Sequence, residues 1–140
     1  MIVVDIKRLI PQRSPILMVD QVDDVREQTA QTSLAIRPDN YFIDEDGKLS
    51  EPGLIEHIAQ SASAFAGYKA LEAGASQPPI GYIGEIKKFH CSCRPSVGTV
   101  LHTTVTMGPE VAGVTILNGE VRVGDEIVAS TQMKIFVKPE

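Results

Sequence analysis

Pro52-Gly53-Leu54-Ile55-Glu56-His57-Ile58-Ala59-Gln60-Ser61-Ala62-Ser63-Ala64-Phe65-Ala66-Gly67-Tyr68 carries a single formal charge, on Glu56. Leu54, Ile58, Ala62 and Phe65 recur at helical spacing, and Ile55, Ala59 and Ala66 widen the apolar face. A helix that is apolar over most of its circumference predicts a fold wrapped around it. A carboxylate in such a helix is costly unless it is paired, solvated or used. Glu56 therefore has two readings. It is a functional carboxylate in a cleft, or a first-turn acid favoured by the helix dipole by about 0.3–1 kcal/mol.

Working outward, the helix runs from about Pro52 to Ala73. Pro52 suits its start and Gly74 its end. Asp5 to Ile10 reads as a short helix stopped by Pro11. Leu17 to Arg26 and Thr29 to Ile36 read as strands, and Arg37 to Glu51 is polar and turn-rich without periodicity. Gln77-Pro78-Pro79 reads as a loop. Strand patterns follow near 81–93, 99–107, 112–123 and 126–137. The last is the clearest, with Ile127, Ala129, Thr131, Met133, Ile135 and Val137 alternating against Val128, Ser130, Gln132, Lys134 and Phe136. Gly124-Asp125 between two strand patterns predicts a tight hairpin. There is no internal repeat, linker or low-complexity segment, so residues 1–140 are read as one domain. The order is two strands, one long helix, four strands. It predicts an α+β domain whose antiparallel sheet curls around the helix. Exposed sheet edges are managed by pairing, and edge-to-edge dimerisation is one route.

Composition removes several function classes. The chain has 140 residues, 43% hydrophobic and 22% charged, as expected of a soluble domain with a real core. A net charge of −5 with no basic cluster argues against nucleic acid as the main partner. No stretch approaches the roughly 20 apolar residues of a membrane span. Met1-Ile2-Val3-Val4-Asp5 lacks the basic region and apolar run of a signal peptide, so no membrane partner is expected and the cytoplasm is the expected compartment. Cys91 and Cys93 are too close for a disulfide framework. His90, Cys91 and Cys93 on one strand would alternate faces, with no second cluster to complete a tetrahedron. No metal or other cofactor is expected.

Three blocks carry a family resemblance. Leu9-Ile10-Pro11-Gln12-Arg13-Ser14-Pro15-Ile16-Leu17-Met18-Val19-Asp20 resembles the opening of the beta-hydroxyacyl-acyl-carrier-protein dehydratases, whose Pro-His-Arg-x-Pro segment precedes apolar residues and Asp. Pro52-Gly53, Glu56 and Ala59-Gln60 resemble their central-helix motif. Tyr82-Ile83-Gly84-Glu85-Ile86-Lys87-Lys88-Phe89, then Arg94-Pro95-Ser96-Val97-Gly98, is similar to their third-strand segment and the turn after it. The ordered set covers nearly the whole chain. It implies the hotdog fold, a dimer or higher oligomer with shared sites, and an acyl substrate carried by acyl carrier protein or coenzyme A.

The chain also departs from that family. The family's histidine lies in a His-Phe-Pro-Gly motif before the helix. Here Asp39-Asn40-Tyr41-Phe42-Ile43-Asp44-Glu45-Asp46-Gly47-Lys48-Leu49-Ser50 has no histidine, and the spacing from Pro-Gly to the glutamate is two residues shorter. This segment is similar to a divergent dehydratase-like branch associated with aryl-polyene biosynthesis.

Dehydration removes a C2 proton and expels the C3 hydroxyl of a 3-hydroxyacyl thioester. A base near neutral pKa suits the first step, and a carboxyl group raised by burial suits the second. By resemblance, Glu56 is that carboxyl group, and Gly53 lets the helix N-terminal backbone approach the thioester carbonyl. Gln60 orients Glu56 or lines the same face, and Ser63 and Gly67 leave room for an acyl chain. His57 is the nearby imidazole, but it lies about 100° around the helix from Glu56. It is either a base at a neighbouring subunit's site or a hydrogen-bonded structural residue. Asn40 either orients a substrate or makes a turn after Pro38-Asp39. His102 falls on a solvent-facing strand position, and Gln12 replaces the histidine of the first motif. Three functions follow: a dehydratase, a non-catalytic acyl-binding or partner subunit of a dehydratase complex, and an acyl thioesterase on the same fold.

Overall fold

The computed structural model describes residues 4–76 and 80–138, with backbone alone at 80, 137 and 138. The expected loop at Gln77-Pro78-Pro79, the signal-peptide reading of residues 1–3 and the inward position of Val137 lie outside the described residues. A short 3-10 helix, Ile6–Arg8, is capped by the Asp5 carboxylate, which accepts from the Lys7 N–H. The strands are β1 (Gln21–Val25), β2 (Thr29–Ala35), β3 (Ile80–Cys91), β4 (Val100–Val111), β5 (Val114–Val123) and β6 (Glu126–Lys138). The helix α1 (Glu51–Glu72) lies between β2 and β3 in the chain. All neighbouring strands are antiparallel, in the spatial order β1-β2-β4-β5-β6-β3. The expected α+β architecture is therefore present: one curved sheet around one long helix.

The helix starts where Ser50 accepts from the Gly53 N–H at 3.2 Å. It ends at Gly74, whose φ of +93° suits a residue without a side chain. Leu54, Ile58, Ala62 and Phe65 are buried against Leu34, Leu101, Val105, Leu117, Val121 and Met133 of the sheet. On another side Ala64, Tyr68 and Leu71 pack on Ile6, Leu9, Ile10, Val19 and Val22. The helix is enclosed by the sheet and by the N-terminal segment, as its all-round apolarity requires. No described helix is long and apolar enough to cross a membrane.

Two expectations about strands are corrected. The strand expected over Leu17 to Arg26 shortens to β1, because the backbone of Met18 turns to the helix instead of a neighbouring strand. Its N–H donates to Gln60 Oε1 at 2.6 Å and its carbonyl accepts from His57 Nδ1 at 2.6 Å. In β6, Ala129, Thr131, Met133 and Ile135 face inward as expected, but Ile127 is exposed and Val128 is buried. The register shifts between Val121 and Arg122 of β5, whose partners are Ala129 and Ile127. One extra residue on β6 at this bulge exchanges the two faces.

The segment 37–50, aperiodic in sequence, is tacked to the turn after β3. Leu49 N–H donates to Pro95 O at 2.8 Å and Val97 N–H to Gly47 O at 3.1 Å. The Arg94 guanidinium pairs with Asp44 at 2.8 Å and with Asp46. That pairing holds the Asp46 carboxyl below its ordinary range.

Candidate functional site

Glu56, Ala59, Gln60 and Ser63 lie along one stripe of α1 and form a wall of a cavity of about 190 Å³. Gln12 from the N-terminal segment, Gly81, Tyr82 and Ile83 from β3, and Ile135 from β6 complete its lining. The spacing i, i+3, i+4, i+7 brings the four helix residues to one side. Glu56 is half-buried there, and its Oε1 accepts from Gln60 Nε2 at 2.8 Å.

Gln60 is a buried hub. Its Oε1 accepts from the Met18 N–H, and its Nε2 donates to the Ile16 carbonyl at 2.8 Å as well as to Glu56. One side chain thus straps residues 16–18 across the helix and orients the carboxylate. Among the described residues one Glu56 oxygen is hydrogen-bonded and the other has no partner.

His57 turns away from this cavity into the core. Nδ1 meets the Met18 carbonyl, which can only accept, so Nδ1 carries the proton. Nε2 then accepts from the Thr103 hydroxyl at 2.7 Å. The imidazole is fully buried with both nitrogens engaged. The reading of His57 as a base reaching a neighbouring subunit is therefore corrected, because nothing outside this chain can touch it. Burial pushes its pKa down to about 4, against the raising effects of Met18 and Asp20. Next to it, Ser61 donates to the His57 carbonyl and meets Thr32 at 2.8 Å.

This environment makes a pH prediction. The folded pKa lies below the unfolded value near 6.5, so the unfolded chain takes up the proton first. The stabilisation is complete above about pH 6.5 and is lost as pH falls toward about 4, by on the order of 3 kcal/mol. Urea unfolding at several pH values should show stability already falling between pH 6.5 and 4.5, before most carboxylates titrate. A flat profile between pH 6.5 and 4.5 would refute the assignment.

Other expected site residues are placed differently. Asn40 makes a turn: its Oδ1 accepts from the Phe42 N–H at 2.8 Å, and its Nδ2 approaches Met18 Sδ at 3.3 Å. It does not line the cavity. The Gly53 N–H is already given to Ser50. A side chain at Gly53 would come within 2.6 Å of Phe42 Cβ, so glycine is required here by packing. At Gly67 the expected acyl space is filled by the Leu9 backbone, which a Cβ would overlap. Close packing thus accounts for glycine at both Gly53 and Gly67. Ser63 does line the cavity, with Gly81 directly over its hydroxyl.

Sequence reasoning did not assign Gln12, Tyr82, Ile83 or Ile135 to the site. Gln12 lies in an irregular segment with no periodicity to betray its direction. Tyr82 and Ile83 are exposed on β3, an edge strand in which both faces are open, so no alternation marks them. His90 is exposed on β3 and His102 on β4, neither near this cavity. Cys91 is half-buried and Cys93 exposed, both as free thiols. Burial and the nearby Glu51 push the Cys91 thiol up. Among the described residues no group of three or more His, Cys, Asp or Glu side chains is arranged to hold a metal.

Comparison with known proteins agrees with this architecture. Residues 4–140 match the ApeP-like family, described as ApeP dehydratase. A 3-hydroxyacyl-acyl-carrier-protein dehydratase, FabZ, of Lactiplantibacillus plantarum is 31% identical, with 95% of this chain and 91% of that protein covered. The FabZ of Syntrophotalea carbinolica is 27% identical, with 98% and 95% covered. Among solved structures, "The Dehydratase Heterocomplex ApeI:P from Xenorhabdus doucetiae" contains a chain that superposes with a TM-score of 0.90 at 17% identity, covering 98% of this chain and 93% of that one. A family match over almost the full length, on a fold matched just as fully, means that this chain belongs to the ApeP-like dehydratases of the hotdog fold.

Proposed function

We propose that this chain acts on 3-hydroxyacyl thioesters, with Glu56 as the proton-exchanging group in a water elimination. The observation that carries this reading is the Glu56 carboxylate held by Gln60 on the wall of a cavity closed by β3 and β6. In the reaction, the C2–H bond breaks and its electron pair forms the C2=C3 double bond. The C3–O bond breaks as Glu56 protonates the departing hydroxyl, which leaves as water. The FabZ relatives are named for substrates on acyl carrier protein, and such a carrier, or coenzyme A, is the proposed vehicle here. The proposed setting is a single cytoplasmic domain.

The C2 proton needs a base. The chain has 3 histidines, and none lines this cavity. We therefore assign the base to a second subunit. The β3 edge supports such an assembly. It ends the sheet, exposes Tyr82, Ile83 and Ile86, and contributes Tyr82 and Ile83 to the cavity, so a strand paired there would cover the site. The partner is a second copy or a dehydratase subunit that brings a histidine, and the structural neighbour described as a dehydratase heterocomplex favours the latter. If the partner brings the whole acid–base apparatus, this chain is the acyl-binding subunit. The lack of a cavity histidine favours that second reading.

The assay is formation of enoyl thioester from a 3-hydroxyacyl thioester, with free thiol measured in parallel. The chain alone is expected to be slower than the complete complex by about 10²–10⁴-fold, the usual contribution of a general base. Thiol release without enoyl product would make it a thioesterase. Fast dehydration by the chain alone would remove the need for a partner base. Sedimentation showing a stable monomer at micromolar concentration would count against any shared site.

A further inference from the structure

We infer that Gln12 is a substrate-recognition residue that accepts a hydrogen bond from the C3 hydroxyl. This deepens the dehydratase reading above and rests on it. Gln12 Oε1 is sealed from solvent and has no hydrogen-bond partner among the described residues. An amide oxygen in that state is unfavourable, and native proteins retain few of them. The Ser63 and Tyr82 hydroxyls also line the cavity, but neither is hydrogen-bonded to this oxygen. Both amide hydrogens of Gln60 are committed, to Ile16 and to Glu56. Ala59, Ile83 and Ile135 have no side-chain polar atoms, and Glu56 is engaged with Gln60 rather than with Gln12. A donor brought by the ligand would relieve the defect.

The segment carrying Gln12 is braced. The Arg13 guanidinium donates to the Lys7, Ile10 and Gln12 carbonyls at 2.9, 2.8 and 2.9 Å. The backbone under the amide is therefore held at the cavity lining, and in the proposed complex the side-chain oxygen turns from its sealed position to meet the ligand. A 3-hydroxyacyl chain beside Glu56 carries one hydroxyl. If that O–H donates to Gln12, the lone pairs of the same oxygen remain open to the proton delivered by Glu56. A neutral amide is suited to this, because it orients the hydroxyl without taking its proton. A saturated or enoyl chain has no such donor and leaves Gln12 unsatisfied, so the contact also selects for substrate over product.

The test compares wild type and Gln12→Met in the complete assembly, with methionine keeping length while removing the acceptor. The probes are 3-hydroxyhexanoyl-pantetheine and hexanoyl-pantetheine. The variant is expected to lose about tenfold in kcat/KM for the hydroxy substrate, while the inhibition constant of the saturated thioester stays unchanged. Thermal stability should stay level or rise, since an unsatisfied acceptor has been removed. An equal loss for both thioesters, or no loss for either, would overturn the inference while leaving the dehydratase reading intact. A fall in oligomer mass with both ligands weakened would also overturn it, since the oxygen would then serve a subunit contact. If wild type forms no enoyl product, the dehydratase reading fails. Equilibrium binding of the same pair then decides on Gln12, and selective weakening of the hydroxy ligand in Gln12→Met supports it.

Discussion

Replacing Glu56 with glutamine is expected to lower dehydration by the complete assembly by about 10²–10⁴-fold while the fold and the oligomer persist. The substitution is matched to the local geometry. Glu56 accepts one hydrogen bond, from Gln60 Nε2 at 2.8 Å, and a glutamine oxygen can accept the same bond. Size, burial and the strap at residues 16–18 are therefore retained, and only proton exchange is lost. If Glu56 were just a dipole-favoured acid, the change would cost no more than about 1 kcal/mol of stability and activity would survive. The purified variant, assayed for enoyl-thioester formation with an unchanged sedimentation profile, separates the two. Wild-type turnover would retire the catalytic role.

Gly67→Ala should reduce stability by about 3 kcal/mol, the upper part of the range for overpacking. A methyl group there would overlap the Leu9 carbonyl oxygen and sit 2.8 Å from its carbon. The obstacle is backbone, so no rotamer change relieves it. Leu9 itself is fully buried and is held by the hydrogen bond from its N–H to Ile6 O at 3.0 Å. Either the N-terminal segment lifts off the helix or the helix shifts within the sheet. Both outcomes reduce burial of Ile6, Ile10, Val19 and Ala64. Denaturant midpoints for wild type and variant at pH 7 measure the effect. An unchanged midpoint would mean that the N-terminal segment yields freely, and that the space beside Gly67 is available after all.

These two residues show where local pattern carries information and where it does not. Glu56 stands out in the chain because a lone charge interrupts an apolar helix, and periodicity alone assigns it to that helix. The same logic makes α1, the succession of elements along the chain and the Gly124-Asp125 hairpin legible, since each depends on neighbours within one or two turns or along one strand. Gly67 and Gly53 read as small, permissive positions in sequence. Their purpose depends on Leu9 and Phe42, distant in the chain. His57 reads as a candidate base until Met18 and Thr103, 39 and 46 residues away, are found to occupy its nitrogens. Val128 and Ile127 exchange faces through a bulge set by pairing with β5, which no pattern within β6 encodes.

The amino-acid order was thus sufficient for the fold class, the succession of elements and the place of Glu56 on the helix, because backbone periodicity and the penalty for burying charge are local properties. Folding alone determined that Gln60 grips both the N-terminal segment and Glu56, that His57 is a neutral core residue, and that an amide oxygen from Gln12 is left beside the cavity without a donor. Those outcomes depend on which distant groups packing brings within hydrogen-bond reach, and a buried polar atom acquires its role only from the partner that it finds there.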